Sequence, residues 1–298
     1  MEKKVLVIVV TYNAEKWLNE CFSSIPSYDS AIKGLVIDNG STDGTVEKIK
    51  RRCPYIKLIE NKKNLGFGAA NNIGFRYAIK HGYDYVYLLN QDAWIAPDDI
   101  LQLVEIAEKN KDFGIISPLQ VNREKTKLDK NFSVHLSAQL FNDSVMGLPL
   151  NTIYKVRPTG MTQAAHWLLS IETIKKVGGF SPFYFHYGED GDYCHRLNYL
   201  GGEIGVVPMI KGVHDRENRI LNDSQKRHLK VQRWKTILSN PNKNTKRAWW
   251  ETLSLIKGYF YSSPWNACLA LKLFIPELFK INYYKRQNRK PGSFLGDL

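Results

Sequence analysis

The chain has 298 residues, of which 43% are hydrophobic and 24% are charged. These proportions are ordinary for a folded globular protein and exclude a disordered or low-complexity chain. The four cysteines are far apart and form no Cys-x-x-Cys pair, so we expect neither a disulfide framework nor a structural zinc site, and a reducing cytoplasm as the compartment.

The amino terminus carries one short apolar run. Only six apolar residues, Val5 to Val10, separate the first four residues from polar Thr11. A secretory signal needs a longer apolar core and a small-residue cleavage site. A membrane-spanning helix needs roughly 18 or more consecutive apolar residues, and the sequence has no such run. We therefore predict neither element.

Strand-length apolar runs alternate with helix-length amphipathic segments over the first 120 residues. Strands are predicted over residues 5–10, 35–37, 56–59, 85–89 and 114–117. Helices are predicted near residues 14–25, 43–52, 67–81 and 97–110. This alternation predicts an α/β fold with a parallel sheet covered by helices on both faces.

The pattern is less regular from residue 120 onward. Residues 131–140 are typical of a strand and 149–159 of a loop, followed by a strand over 165–171 and a short helix over 172–177. A helix is then predicted over 189–200 and a strand over 204–207. From residue 224 the pattern is helical and strongly aromatic.

Polar residues follow four of the predicted strands. They are residues 11–13 (Thr-Tyr-Asn), 38–45 (Asp-Asn-Gly-Ser-Thr-Asp-Gly-Thr), 64–72 (Asn-Leu-Gly-Phe-Gly-Ala-Ala-Asn-Asn) and 90–92 (Asn-Gln-Asp). Ligands of open parallel sheets bind at the carboxyl ends of the strands. These four segments are therefore the candidate ligand-binding residues.

Two carboxylates in these segments carry specific chemistry. Asp92 can bridge a divalent cation to a diphosphate, since Mg²⁺ and Mn²⁺ prefer oxygen ligands and usually take only one or two carboxylates. The alternative is a cap for the next helix, although Pro97 and Asp98 already provide a helix start. Asp38 can accept hydrogen bonds from a nucleoside base or ribose, and the alternative is a plain turn residue.

The densest acidic cluster is Glu189-Asp190-Gly191-Asp192. Three carboxylates in four residues repel one another, so a fold retains them for a base, a metal or a basic ligand. On a helix, Glu189 and Asp192 share a face while Asp190 points elsewhere. The alternative is an acidic helix start favoured by the helix dipole.

Two other features are less specific. The run Gly66-x-Gly68-x-x-Asn71 is an incomplete dinucleotide fingerprint: it lacks the third glycine and follows the third strand, so no nicotinamide or flavin site is expected. His214 follows the last predicted strand of the sheet. A lone histidine is more often structural than a ligand.

Six segments in this order resemble the family-2 glycosyltransferases, which have the GT-A fold: a mixed, mostly parallel nucleotide-binding sheet flanked by helices. The matching segments are residues 9–13, 36–45, 64–72, 88–92, 178–180 and 189–196. The resemblance spans about residues 4–215. The run over 64–72 is most similar to the rhamnosyltransferase-like branch of bacterial surface-polysaccharide synthesis.

The resemblance implies roles for the matching positions. The nucleotide and donor sugar would contact Thr11, Tyr12, Asn13, Asp38, Gly66, Asn71, Asn90 and Gln91. Asp92 is the last position of the family's metal-binding Asp-x-Asp motif, in which Asn90 replaces the first aspartate, and His214 matches a further metal or diphosphate ligand. Asp190 matches the catalytic base. The acceptor side would include Glu189, Asp192 and Trp167.

The reaction implied by the resemblance is an inverting sugar transfer assisted by Mn²⁺ or Mg²⁺. The donor would be a dTDP- or UDP-sugar carrying rhamnose or another hexose, and the acceptor a hydroxyl of a glycan or lipid-linked glycan. A carboxylate would take the proton of the attacking hydroxyl. The cation and nearby donors would stabilise the charge of the departing diphosphate.

Positive charge is concentrated at the carboxyl end. Residues 225–298 contain 15 Lys and Arg against three acidic residues, a net charge of +12, whereas residues 1–224 carry only +1. We predict a catalytic domain over 1–224 and a basic, aromatic helical region over 225–298. Basic residues with interleaved aromatics favour docking on the anionic inner face of the cytoplasmic membrane. The alternative is a helical cap whose charges face water.

Two other functions fit parts of the sequence. A sugar-phosphate nucleotidyltransferase would use a similar sheet and metal, but it would carry a Gly-rich basic loop directly after the first strand, where this chain has residues 11–15 (Thr-Tyr-Asn-Ala-Glu). A nucleic-acid-binding protein would suit the basic carboxyl end. It would not suit the nearly neutral first 224 residues, so we expect no nucleic acid as partner.

Overall fold

The structure is a computed structural model that describes residues 2–28, 31–134, 136, 156–216 and 220–296. The strands are β1 (Val5–Thr11), β2 (Ile32–Asp38), β3 (Lys57–Glu60), β4 (Tyr85–Asn90), β5 (Ala93–Trp94), β6 (Phe113–Val121), β7 (Arg157–Thr159), β8 (His166–Ser170) and β9 (Glu203–His214). The helices of the α/β part are α1 (Leu18–Phe22), α2 (Thr45–Arg52), α3 (Phe67–Lys80), α4 (Pro97–Lys109), α5 (Lys130–Ser133), α6 (Ile171–Val177) and α7 (Glu189–Tyr199). Four more follow: α8 (Asp223–Ser239), α9 (Thr245–Ser262), α10 (Pro264–Phe274) and α11 (Leu278–Gln287).

The strands form one mixed sheet in the order β3-β2-β1-β4-β8-β6-β9-β5, and β7 pairs with β9 outside this path. β1 to β4 are parallel to one another, and so are β6 and β9. β8 runs antiparallel between β4 and β6. The expectation of an α/β fold with a mixed, mostly parallel sheet is therefore confirmed.

The composition of β1 explains its central position. Its side chains alternate between two apolar cores, as the period of a strand requires. Val5, Val7 and Val9 face a core shared with α1, α2 and α4, whereas Leu6 and Ile8 face a core shared with α3, α6 and α7. A strand covered on both faces has no position for a polar residue until its carboxyl end.

Three predicted boundaries beyond residue 120 were wrong. Residues 131–133 lie in helix α5, where the Asp129 carboxylate accepts a hydrogen bond from Phe132 N at 2.8 Å; residues 137–140 are outside the described residues. Residues 157–159 form β7, not a loop, and 149–155 are not described. β9 extends seven residues past the predicted end and finishes at His214.

The last three helices pack around α8. A capping box between Asn222 and Gln225 starts this helix, and α9, α10 and α11 each contact it. Trp234 of α8 is buried in their shared apolar core. Within the described part of the chain, no helix has the length and apolar character needed to cross a membrane.

A buried ion pair joins α7 to the carboxyl-terminal tail. Arg196 Nε donates to Asp192 Oδ2 at 2.9 Å, and its Nη atoms donate to the backbone oxygens of Val177 and Gly179. Asn288 Nδ2 donates to the other oxygen of Asp192 at 2.7 Å. The side chains of Arg196 and Asp192 are almost fully buried, so each depends on the other for its charge.

Replacing Arg196 with Met should destabilise the fold strongly. The variant leaves the Asp192 carboxylate buried without its cation, which typically costs about 3–5 kcal/mol. Urea unfolding measures the loss. The matched control is Lys226→Met at the exposed pair with Asp223, which should change the free energy of unfolding by about 0–1 kcal/mol. A loss no larger than that of the control would show that the buried pair is not structural.

Candidate active site

Two candidate side chains, those of Asp92 and His214, lie together at one edge of the sheet because β5 turns back onto β9. Ala93 pairs with His214 and Trp94 with Val213 in antiparallel register. The backbone of Asp92 is tied to the same strand end, since Asp215 N donates to Asp92 O at 2.8 Å. As a result, His214 Nε2 lies 3.4 Å from Asp92 Oδ1. Residues that are 122 positions apart in sequence are thus brought together.

The Asp92 carboxylate is held in its charged form. Burial favours the neutral acid, but the hydrogen bond from His214 and the charge of Arg216 outweigh burial, so the pKa of Asp92 is lowered. Asn90 lies beside this pair, with Nδ2 3.5 Å from His214 Nε2. The Asn90 Oδ1 atom is buried and has no hydrogen-bond partner among the described residues. Such an oxygen is costly unless a ligand engages it.

These atoms fit a divalent cation that takes few ligands from the protein. No group of three or more His, Cys, Asp or Glu side chains in the described ranges is arranged to hold a metal on its own. Asp92, His214 and the unpaired Asn90 oxygen offer a partial set. Mg²⁺ and Mn²⁺ bind in this way when substrate phosphates and water complete the shell.

Asp190 and Glu189 open helix α7 after Gly188, whose φ of +95° is a left-handed conformation that favours glycine. Asp190 Oδ2 accepts a hydrogen bond from Ala164 N at 3.2 Å. Burial raises the pKa of Asp190, while this hydrogen bond and the charges of Arg216 and His214 oppose the rise. Asp190 is therefore a carboxylate with raised basicity that faces positive charge.

Glu189 has a different environment. It is buried, and its Oε2 atom has no hydrogen-bond partner among the described residues. Burial and the neighbouring charge of Asp190 raise the pKa of Glu189. Two adjacent carboxyls in unlike surroundings can take different protonation states, one as a neutral acid and the other as a charged base. Glu189 is the candidate neutral acid and Asp190 the candidate base.

Sequence reasoning missed Arg216 and Asp129. Arg216 lies two residues beyond the end of β9, and its Nε and Nη2 atoms donate to both oxygens of Asp129 at 2.8 and 2.7 Å. This bidentate pair stands close enough to Asp92 and Asp190 to influence both. The sequence offered one signal for Arg216: it lies two residues after His214, which is itself a candidate ligand at a strand end.

The residues predicted for the nucleoside form two connected groups. Thr11 Oγ1 and Ser41 Oγ both donate to Asp38 Oδ1, and Gly40 N and Ser41 N donate to Asp38 Oδ2. Four hydrogen bonds fill the acceptor capacity of a carboxylate. Asp38 therefore shapes the loop after β2 from a buried position, and direct hydrogen bonding of Asp38 to a nucleoside is not supported.

The second group presents an aromatic ring. Gln91 brackets the backbone of Tyr12, accepting from Tyr12 N at 2.7 Å and donating to Tyr12 O at 3.3 Å. Asn13 has a φ of +51°, and its Oδ1 atom accepts from Thr42 N at 2.9 Å. The ring of Tyr12 remains 46% exposed, so it is available to stack on a planar base.

Gly66 and Asn71 lie at the start of α3. Gly66 has a φ of +83°, and a Cβ atom there would lie 2.1 Å from Phe185 O, so only glycine fits. Asn71 is buried, and its Nδ2 atom donates to Phe67 O at 3.0 Å. Gly66 therefore sets how closely two loops approach, whereas Asn71 supports the first turn of the helix.

Two residues predicted for the acceptor side are core residues. Trp167 is fully buried and packs against Phe180 and Tyr193, with ring centroids 6.1 and 5.7 Å away. Asp192 is committed to the buried pair with Arg196. Neither side chain can reach an acceptor, and both predictions were wrong. The strand and helix patterns of the sequence predicted where Trp167 and Asp192 lie in their elements. These patterns did not predict which face of each element is buried.

Two cavities of the described chain lie away from this edge. One of about 470 Å³ is lined by residues of α1, of the segment that follows it and of α2, and another of about 600 Å³ lies at the amino-terminal edge of the sheet. None of the predicted site residues lines either.

Comparison with known proteins gives a consistent family. Residues 6–161 match the model of the family described as glycosyl transferase family 2. A Mycobacterium tuberculosis protein, an N-acetylglucosaminyl-diphospho-decaprenol L-rhamnosyltransferase, is 26% identical over 275 residues, which cover 82% of this chain and 85% of that protein. The similarity therefore extends past the matched family segment into the carboxyl-terminal helices.

Solved structures share the fold. Staphylococcus aureus TarS 1–349 superposes with a TM-score of 0.57 at 13% identity, covering 96% of this chain and 89% of that one. The mannosyltransferase PcManGT from Pyrobaculum calidifontis, solved with GDP-Man and Mn²⁺, has a TM-score of 0.57 at 19% identity and covers 92% and 75% of the two chains. At these identities the likeness concerns the fold, which is the GT-A fold.

Replacing Glu189 with Gln should stabilise the protein increasingly as pH rises. A carboxyl whose pKa is higher in the folded than in the unfolded state does not reduce stability below its unfolded-state pKa. As pH rises from that pKa toward the folded-state pKa, the carboxyl progressively lowers the free energy of unfolding. Gln avoids this loss, so the difference in Tm between variant and wild type should grow from pH 4 to pH 7. The matched control is Glu105→Gln at an exposed position of α4. A Tm difference independent of pH would contradict the buried carboxyl.

Proposed function

The chain belongs to glycosyl transferase family 2, and we propose that it moves a sugar from a nucleoside diphosphate donor to a hydroxyl by a metal-assisted, inverting single displacement. The observation that carries this proposal is the pairing of two unlike sites at one sheet edge. Asp92 with His214 is suited to a diphosphate and its cation, and Asp190 nearby is a basic carboxylate that faces Arg216.

The proposed base is Asp190. Its carboxylate takes the proton of the acceptor hydroxyl while that oxygen forms a bond to the anomeric carbon, and the bond from the anomeric carbon to the diphosphate oxygen breaks. The raised pKa of Asp190 favours proton uptake. Glu189 would stay protonated beside it, so that only one carboxyl of the pair serves as base.

The proposed diphosphate site consists of Asp92, His214 and Asn90. These side chains would hold Mn²⁺ or Mg²⁺ together with donor phosphates, as the unpaired Asn90 oxygen and the charged Asp92 carboxylate suggest. When bound, the cation stabilises the negative charge of the departing nucleoside diphosphate. The structural neighbour PcManGT was solved with GDP-Man and Mn²⁺, which supports a divalent cation as the cofactor.

The proposed nucleoside site is the surface between the loops after β1 and β2. Tyr12 would stack on the base, with Gln91 and Asn13 holding its backbone in place. Thr11 and Asp38 would lie beneath this surface, where their hydrogen bond fixes the loop after β2. Gly66 would allow the loop that carries Phe185 to close against the donor pocket.

The relatives narrow the substrates. We propose a dTDP- or UDP-sugar as donor, with rhamnose or another hexose, and a glycan or lipid-linked glycan as acceptor. The M. tuberculosis relative is named for a diphospho-decaprenol acceptor, and TarS has also been solved with UDP. A peripheral position on the inner face of the cytoplasmic membrane is part of the proposal, supported by the net charge of +12 after residue 224.

The two alternative functions receive no support from the relatives. A nucleotidyltransferase would release pyrophosphate from a nucleoside triphosphate, whereas the proposed enzyme releases a nucleoside diphosphate. An assay that distinguishes these products separates the two. A nucleic-acid-binding protein would give a salt-dependent gel shift without any nucleotide release.

Replacing Asp190 with Asn should abolish most transfer while leaving nucleotide binding intact. The amide keeps the size of the side chain and removes its basicity, so kcat should fall by on the order of 10²-fold or more. The measurement is sugar transfer together with calorimetric titration of the nucleoside diphosphate. Asp98→Asn, at an exposed position of α4, is the control and should transfer at the wild-type rate. Near wild-type turnover of the Asp190 variant would rule out its role as base.

Replacing Asp92 with Ala should weaken nucleoside diphosphate binding and metal dependence together. The variant removes the main charged oxygen ligand, so the Mn²⁺ concentration for half-maximal activity should rise by about tenfold or more. Metal titrations of activity and of nucleotide affinity measure both effects, with Asp98→Ala as control. Full activity of the wild-type enzyme in excess chelator would overturn the metal-assisted mechanism.

A further inference from the structure

We propose that the outer faces of α9, α10 and α11 form a membrane anchor that inserts aromatic side chains into an anionic bilayer. The anchor rests on the proposed function only in one respect, namely that the enzyme meets a lipid-linked acceptor at the membrane. It goes beyond charge attraction, because it assigns the contact to particular aromatic residues on three consecutive helices. These outer faces are called the anchor face below.

The anchor face exposes large apolar side chains that a water-facing helix rarely presents. Trp250 is 74% exposed, Tyr261 78%, Trp265 75% and Phe279 89%. Exposed aromatic residues are common singly, but several on neighbouring helices mark a contact surface. Trp and Tyr rings prefer the headgroup level of a bilayer, where one end is apolar and the other is wet.

The spacing places these residues opposite the buried side of each helix. In α9, Trp250, Lys257 and Tyr261 follow one another at intervals that return to the same face, while Ala248 and Thr252 are buried on the other face. In α11, Phe279 and Tyr283 are one turn apart, and Ile281 is buried on the opposite side. α9 and α11 therefore each turn one face inward and their aromatic face outward.

Basic residues accompany the aromatics on the same helices. Lys257 and Lys272 are exposed on α9 and α10, and Arg286 is exposed on α11. Lys280 of α11 is also exposed, but it pairs with Glu277 at 3.1 Å. Each basic residue near an anionic surface adds attraction that salt weakens, whereas inserted aromatic rings are insensitive to salt. This combination of aromatic and basic groups fits an anionic headgroup layer better than an apolar protein surface, because an apolar surface would leave the charges unpaired.

The anchor face is connected to the catalytic segment through α8. Lys235 Nζ donates to Phe183 O at 2.6 Å, and the hydroxyls of Tyr184 and Ser239 are 2.9 Å apart. His228 Nε2 lies 2.9 Å from His186 O. The segment that leads directly to Asp190 thus rests on the helix that α9, α10 and α11 cover. Docking would hold Asp190 at a fixed distance from the bilayer that contains a lipid-linked acceptor.

Vesicle sedimentation of the full-length protein tests the anchor face. We compare vesicles of phosphatidylcholine alone with vesicles containing phosphatidylglycerol, at low and high salt. The wild type should bind the anionic vesicles and retain part of this binding at high salt. The combined variant Trp250→Ser, Trp265→Ser and Phe279→Ser should lose the salt-resistant part, with about a tenfold lower partition coefficient. The control Tyr28→Ser with Tyr199→Ser removes exposed aromatics elsewhere and should bind like the wild type.

Two further measurements keep this test separate from the proposed function. Circular dichroism and Tm establish that the aromatic variant is folded. Turnover with a water-soluble acceptor should be unchanged in that variant, because none of the three residues belongs to the proposed active site. Wild-type vesicle binding by a protein without transferase activity would reject the proposed function and retain the anchor.

Three results would overturn the anchor. The first is a folded aromatic variant that binds vesicles as the wild type does. The second is wild-type binding that vanishes entirely at high salt, which would leave charge attraction alone. The third is a wild-type dimer that dissociates in the aromatic variant and does not bind vesicles, which would assign the face to a second copy of the chain.

Discussion

The short pairing of β5 with the end of β9 is the contact on which the candidate active site depends. Parallel strands bring the segments after β1, β2 and β4 to one edge, but the sheet order separates them from β9. Only the return of β5 joins Asp92 to His214. Arg216 then follows on the same strand extension, and its charge is felt at both Asp92 and Asp190. In the proposed mechanism, these two residues of antiparallel pairing bring the diphosphate site and the base together.

The acidic start of α7 shows how stability and chemistry are divided. Burial raises the pKa values of Glu189, Asp190 and Asp192. Asp192 is compensated by Arg196 and stabilises the packing of the helix. Among the described residues, no ion pair joins Glu189 or Asp190 to an arginine, and such uncompensated carboxyls lower stability. Proteins tolerate this cost where a reaction uses the perturbed group.

The sequence predicted the parts of the fold that depend on local pattern. The apolar run of β1, Pro97 at the start of α4 and the glycines around α3 were sufficient to place these elements. The full length of β9 was missed because Pro208 is typical of a strand end, whereas β9 continues through an irregularity in its pairing with β6. Three features depend on long-range contacts, which a single sequence does not show. They are the position of Arg216 near the site, the four hydrogen bonds that occupy the Asp38 carboxylate, and the burial of Trp167.

In the proposed mechanism, a single base at the sheet edge drives a direct displacement at the anomeric carbon. Its most direct test is the stereochemistry of the product. A donor of known anomeric configuration is turned over with a soluble acceptor, and the anomeric proton of the product is assigned by nuclear magnetic resonance before it can equilibrate. The proposed displacement should give inversion at the anomeric carbon. A product that retains the configuration of the donor would contradict it, because one displacement with Asp190 as base cannot give that outcome.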